Sequence, residues 1–150
     1  VEVNVTPDRG YALSIRGIAR EYANSTGAVF RDPADAVTVT DATGYSLSID
    51  DASPVRGRPG CSVFTARIVR GIDPTRPSPP WLAARLRLAG IRSISLVVDI
   101  SNYVMLELGQ PNHTYDLAKL DGGLAVRRAT AGGRSRHRRG RSLPCCHRAG

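Results

Sequence analysis

His113 and Asn102 are the two side chains whose chemistry stands out. His113 lies in the irregular polar stretch Pro111-Asn112-His113-Thr114-Tyr115-Asp116. An imidazole there can take up or release a proton near neutral pH, or simply bond a nearby carbonyl. Asn102 carries an amide that both donates and accepts, with the hydroxyl of Ser101 beside it. Taken alone, each has a plain structural role: a locally bonded Asn, a loop His, a small packing Ser. The carboxylates of Asp99 and Glu107 are expected on solvated or helix-capping surfaces, and Asp8-Arg9 in a turn. Cys145-Cys146-His147 lacks the two-residue spacing and second ligand pair of a zinc site. Together with the isolated Cys61, these cysteines form no disulfide framework, so reduced thiols in the cytoplasm are expected.

The segment that must position Asn102 is the strongest periodic signal of the chain. Ile94, Val97, Val98, Ser101, Val104, Met105 and Leu108 recur at helical spacing, and Gly109 and Pro111 stop the run. Asn102 lies about 100° from the centre of that stripe, so it can flank a core and face a cleft. A preceding helix is announced by Ser78-Pro79-Pro80-Trp81-Leu82, with Ser78 as cap, Pro79 at the first helical position, Leu82, Leu86 and Ala89 as buried stripe, and Gly90 as its end.

Upstream, Glu2–Thr6 reads as extended and Pro7-Asp8-Arg9-Gly10 as a turn. A helix follows from the N-cap Ser14, with Ile15, Ile18, Ala19 and Tyr22 on one face and Gly27 closing it. After the linker Arg31–Asp35, short strands are expected at Ala36–Thr40 and Tyr45–Ile49, then a loop over Asp50–Gly60. Ser62–Val69 alternates best of all, and Leu124-Ala125-Val126 reads as a further short strand. Strands and helices mix without regular alternation, which predicts an α+β fold.

The chain has 150 residues, with 21 basic and 13 acidic side chains. Six of the basic ones are arginines within Ala131–Gly150, which holds no Asp or Glu; without that stretch the balance is 15 to 13. The basic character therefore belongs to the tail, and a nucleic-acid argument from charge rests on those residues alone. The tail also lacks apolar periodicity, so disorder is expected there. No apolar run approaches the roughly 20 residues of a membrane span, and no export signal opens the chain. Lacking an initiator Met, the chain is expected to begin inside a longer protein.

Two stretches are long enough to be specific: Val5 through Glu21, and Gly90-Ile91-Arg92-Ser93-Ile94 followed by Val97 through His113. Phe64-Thr65-Ala66-Arg67 and Ser78-Pro79-Pro80-Trp81-Leu82 lie between them. Together they closely resemble the bacterial phenylalanine–tRNA ligase β-subunit family, over about residues 1–130. The resemblance implies the end of the family's first module (1–35), the beginning of its B3/B4 editing module (36–130), and an Arg-rich tail (131–150).

It also implies a subunit of an α2β2 aminoacyl-tRNA synthetase that works on tRNA in the cytoplasm. The α subunit uses ATP and Mg²⁺, with no cofactor expected in this segment, and no membrane partner. The B3/B4 module would hydrolyse tyrosine wrongly attached to the phenylalanine tRNA. Carried over residue by residue, the family's editing cleft places Asn102 and His113 near the ester, with Ser101 where Thr is usual.

The departures are Ser93-Ile94-Ser95-Leu96 for Pro-Ile-Asn-Asn, and Asn112 for a Leu or Met before the His. After Ala129 the family pattern is lost, and with it the acidic residue expected to recognise the tyrosine hydroxyl. Gly132–Gly150 is therefore expected to be out-of-frame or truncated sequence, and this segment alone to be inactive. A basic, non-catalytic RNA-binding module is the alternative reading, and a free-standing deacylase a third.

Overall fold

A computed structural model describes residues 2–38, 44–51 and 56–128, together with the backbone of 134–136 and 142–144. The chain divides into two compact units. One comprises Val1–Asp41 and Val69–Lys119, the other Ala42–Ile68 and Leu120–Gly150. Helices occupy the first and short strands the second, as an α+β chain requires.

In the first unit, α1 (Ile15–Thr26) starts and ends where local chemistry demands. The Ser14 hydroxyl accepts from Gly17 N at 3.0 Å and donates to the Tyr11 carbonyl at 2.9 Å. Gly27 takes the left-handed conformation at φ 74° and donates to the Ala23 carbonyl. The apolar face is largely uncovered: Ile15, Ala19 and Tyr22 are exposed and Ile18 is half-buried, while Gly17 and Ala23 are the buried positions. The reason is a close approach of backbones. A Cβ on Gly17 would stand 1.9 Å from the Tyr11 carbonyl oxygen, so the preceding turn of 3-10 helix, Gly10–Ala12, lies directly on the helix there.

Beyond α1 the chain folds back. Asp32 caps the 3-10 turn Pro33–Ala36 and receives Arg16 through two bonds of 2.7 and 2.6 Å, with Arg20 at 3.3 Å. The hydrogen bonds from Arg16, helped by the Ala34 amide, hold the Asp32 carboxyl at about 2. No strand forms over Ala36–Val37, which close the 3-10 turn instead; residues 39 and 40 of that expected strand lie outside the described residues. Glu2–Thr6 likewise pairs with no strand among the described residues.

The helices α2 (Pro80–Leu88) and α3 (Leu96–Leu108) bury Leu82 and Leu86. They are joined by a Schellman turn in which Ile91 N bonds the Leu86 carbonyl and Gly90 N that of Arg87, with Gly90 at φ 77°. α2 begins one residue later than predicted, and Ser78 does not cap it, because its hydroxyl is bonded to Asp99. Ala89 is exposed. α3 begins after Ile94, which is exposed, and ends at Gly109 with φ 74°.

In the second unit, β1 (Leu47–Asp50) and β2 (Leu124–Arg127) pair in parallel, Leu47 opposite Leu124 and Asp50 opposite Arg127. The Tyr45 phenol donates to the Gly122 carbonyl at one end. Asp51 takes the Arg128 guanidinium at 2.6 and 3.2 Å at the other. Ser62–Val69, the best alternating stretch, is not a strand; among the described residues it pairs only through an isolated bridge from Arg67 to Gly44. Alternation marks a segment fit for a half-buried sheet, but a strand also needs a continuous partner. Within the arginine-rich tail the backbones of β3 (Arg134–Arg136) and β4 (Ser142–Pro144) pair antiparallel. The rest of the expected disordered tail lies outside the described residues, as do Cys145, Cys146 and His147.

Candidate functional site

α3 carries Ser101 and Asn102, and its first turn is anchored by an anion. Asp99 is completely buried, against the expectation of a solvated carboxylate, although the helix-capping half of that expectation holds. One oxygen accepts from the Ser78 hydroxyl at 2.5 Å and from the Ser93 hydroxyl, and the other from Ile94 N at 3.0 Å. Burial pushes the carboxyl up, but these hydrogen bonds, with a further one from Ser95 N, outweigh it and hold the group below its ordinary value. Asp99 thus caps its own helix from within the first turn. The N-cap residue Ser95 makes no side-chain cap bond.

One turn further on, Ser101 is half-buried, and its hydroxyl donates back to the Val98 carbonyl at 2.7 Å. Asn102 is half-buried as well, in keeping with a position flanking the core. At the far end Gly109 is required twice over. Its φ is 74°, and a Cβ on it would meet the Ser14 hydroxyl at 2.8 Å, so the end of α3 lies against the cap of α1.

From Gly109 the chain turns back along its own helix. The Asn112 side-chain nitrogen donates to the Ser101 carbonyl at 3.1 Å and to the Gln110 carbonyl at 3.2 Å. The residue before His113 is thereby bonded to the residue before Asn102. His113 itself is exposed, its ring 6.1 Å from that of Tyr115. Ser101 and Asn102 therefore stand on the helix, and His113 stands on a strap bonded to it.

On the outer side of α2 and α3, the Arg85 guanidinium donates to the Tyr103 hydroxyl at 2.7 Å and lies over the rings of Trp81 and Tyr103. Those two rings meet edge to face at 5.5 Å. A hydrogen bond with Glu107, reinforced by burial, raises the Tyr103 phenol above its ordinary range. Glu107 is accordingly half-buried and bonded, not solvated. Its Oε2 is buried with no hydrogen-bond partner among the described residues. The spacing of Trp81 to Arg85 and Tyr103 to Glu107, four residues in each helix, was the signal for this cluster that sequence reasoning passed over.

Two open grooves flank the helix pair in this unit. One of about 640 Å³ is lined by Ala83, Ala84, Arg87, Ile91 and Arg92, and one of about 410 Å³ by Thr75, Arg76, Ser78, Ser93 and Ser95. Neither of these two grooves is lined by Ser101, Asn102 or His113. Among the described residues no group of three or more His, Cys, Asp or Glu is placed to hold a metal ion. No helix there is long and apolar enough to cross a membrane.

Comparison with known proteins agrees with the resemblance seen in the sequence. The chain is similar to the phenylalanine–tRNA ligase β subunit of Leifsonia xyli, 69% identical over 134 residues, covering 88% of this chain and 16% of that protein. The β subunits of Bifidobacterium longum and Streptomyces avermitilis are 51% and 53% identical, again over 88% of this chain and 16% and 15% of their own lengths. The chain thus spans about a sixth of the relatives it matches. Residues 60–140 match the B3/4 domain model, a stretch containing α2, α3, the Asn112 strap and β2; the chain belongs to the B3/4 domain family.

Proposed function

We propose that this chain is a segment of a phenylalanine–tRNA ligase β subunit and contributes part of a hydrolytic cleft that removes tyrosine from mischarged tRNA. The observation that carries the reading is the return of the 110–113 strap onto α3 through Asn112, next to Asn102. A hydrolytic site for an aminoacyl ester needs a group to orient the ester and a group to position or deprotonate water. An amide on a helix and an imidazole on a strap bonded to that helix are suited to those two tasks. Ser101, whose hydroxyl hydrogen is used within the helix, has only acceptor capacity left for a substrate.

A second site of this kind has a physical rationale. A hydrophobic synthetic pocket rejects a near-isostere bearing one extra hydroxyl by only about 10². A separate pocket that hydrolyses the hydroxylated ester improves on that ratio. On this reading the partners are an α subunit in an α2β2 assembly and tRNA, in the cytoplasm. ATP and Mg²⁺ serve the synthetic reaction elsewhere in that assembly, with no cofactor in this segment. Residues 1–35 then end the preceding module, 36–130 open the editing module, and 131–150 form an arginine-rich tail.

The experiment is deacylation of tyrosyl-tRNA by an α2β2 enzyme whose β subunit is that of Leifsonia xyli with residues 1–128 of this chain replacing the matching segment. The chimera is expected to deacylate, and His113→Ala to lower the rate at least about 10²-fold. Phenylalanine charging is expected to stay unchanged. Full activity in His113→Ala would overturn the reading. RNA binding by the isolated chain that vanishes when 131–150 are deleted would instead favour the non-catalytic basic module.

A further inference from the structure

We infer that the arginine-lined face of α2 and the segments beside it is a contact surface for the sugar–phosphate backbone of an RNA. The inference rests on the editing reading above and says where its tRNA is held. Outside residues 131–150 basic and acidic side chains nearly balance, 15 to 13, but the fold does not spread them evenly. The carboxylates of Glu21, Asp32 and Asp51 are taken up by Arg9, by Arg16 and Arg20, and by Arg128. Arg76, Arg87 and Arg92 are exposed, and their guanidinium groups meet no carboxylate and no hydrogen-bond acceptor among the described residues.

These three arginines line the two grooves. Arg87 and Arg92 border the groove of about 640 Å³ beside Ala83, Ala84 and Ile91; Arg76 borders the one of about 410 Å³, and Ser93 lines both. No Asp or Glu lines either groove. The carboxylate that Ser93 bonds, Asp99, is completely buried and already met by protein donors, so it offers no oxygen to the surface. The face is therefore concave, open and of one sign of charge. A guanidinium gains most from a partner whose oxygens it can take in pairs, and a phosphate supplies them. Cations spread along two joined, open grooves suit a chain of phosphates better than one small anion. Such contacts fix where an RNA lies without reading its bases.

The test uses the same α2β2 chimera and removes one arginine from each groove, Arg76→Ala with Arg87→Ala. Tyrosyl-tRNA deacylation is followed across a range of salt concentrations. KM is expected to rise about tenfold while kcat holds, because binding is lost and chemistry is not. The slope of log(kcat/KM) against log salt should flatten by about 1 for each arginine removed. The same positions changed to Lys should recover most of the loss. Lys119→Ala, which removes a cation already paired with Asp116, should leave the slope as it was. An unchanged KM and slope in the double variant, with the parent chimera active, overturns the contact and leaves the editing reading standing. A weakened α2β2 assembly with an unchanged slope marks a protein contact instead, and also overturns it. If His113→Ala keeps its full rate, the editing reading fails by itself. The salt slope of tRNA binding to the same arginine variants then decides the contact: a flatter slope keeps it, an equal one overturns it.

Discussion

The hydroxyl of Ser78 donates to the carboxylate of Asp99 at 2.5 Å across 21 residues of chain. One buried anion thus holds the segment entering α2, the segment entering α3, and the first turn of α3 together. No cation compensates Asp99 in this set of bonds; its charge is met by hydroxyls and main-chain amides. Such an arrangement is stable only while every donor stays in place.

Removing that anion should therefore unfold more than a surface contact would. Asp99→Ala leaves two hydroxyls and the Ile94 amide without their acceptor and is expected to destabilise by about 3 kcal/mol or more. Asp99→Asn, which keeps one acceptor oxygen, should lose less. Urea unfolding followed by helical circular dichroism measures both; equal midpoints for Asp99→Ala and the parent chain would refute the anchoring role.

Acid should loosen the helical unit. Asp32, at about 2, and Asp99 are both held below the ordinary carboxylate value of 3.8. For each, the unfolded state binds a proton more readily, so their contribution is fully present above about pH 4 and is lost as pH falls toward the folded values. Between pH 5 and 7 these two groups should leave stability flat. Arg16→Ala removes the principal cause at Asp32, and its carboxyl should then titrate closer to 3.8, as read by carboxyl NMR shifts.

Two glycines in and after α1 should answer differently to a methyl group. Gly27→Ala meets open space and bears only the strain of φ 74°, about 1 kcal/mol. Gly17→Ala would place its Cβ 1.9 Å from a main-chain oxygen that cannot step aside, so the Gly10–Ala12 turn must separate from the helix. It is expected to destabilise by about 3 kcal/mol or more. Thermal midpoints of the two variants settle the comparison; similar losses would mean the turn is free to move.

The ends of α1 and the stop of α3 at Gly109 were legible from residues a few positions apart, because caps and left-handed glycines are local chemistry. The start of α2 was not. Whether Ser78 caps a helix or bonds a carboxylate depends on Asp99, 21 residues away. The apolar period of α1 located the helix but does not mark its buried positions. Periodicity reports which side chains can be covered, while the approach of Gly10–Ala12 to Gly17 decided which ones are.

The strand pattern shows the same division. β1 and β2 were located by their apolar residues, but their parallel pairing joins segments 77 positions apart in register, and no local signal specifies that. Ser62–Val69 had the better pattern but no continuous partner among the described residues, and it is irregular.

At the candidate site, sequence alone determined the residue types: an amide on a helix flank, an imidazole past a glycine–proline stop, and an Asn at 112. These follow from nearest-neighbour chemistry and from matching stretches. Only the tertiary structure decided that Asn112 bonds back to Ser101, and that Asp99 is a buried anchor and not a surface charge. A hydrogen bond or a burial between distant residues depends on where the chain returns in space, and that is set by all the packing together.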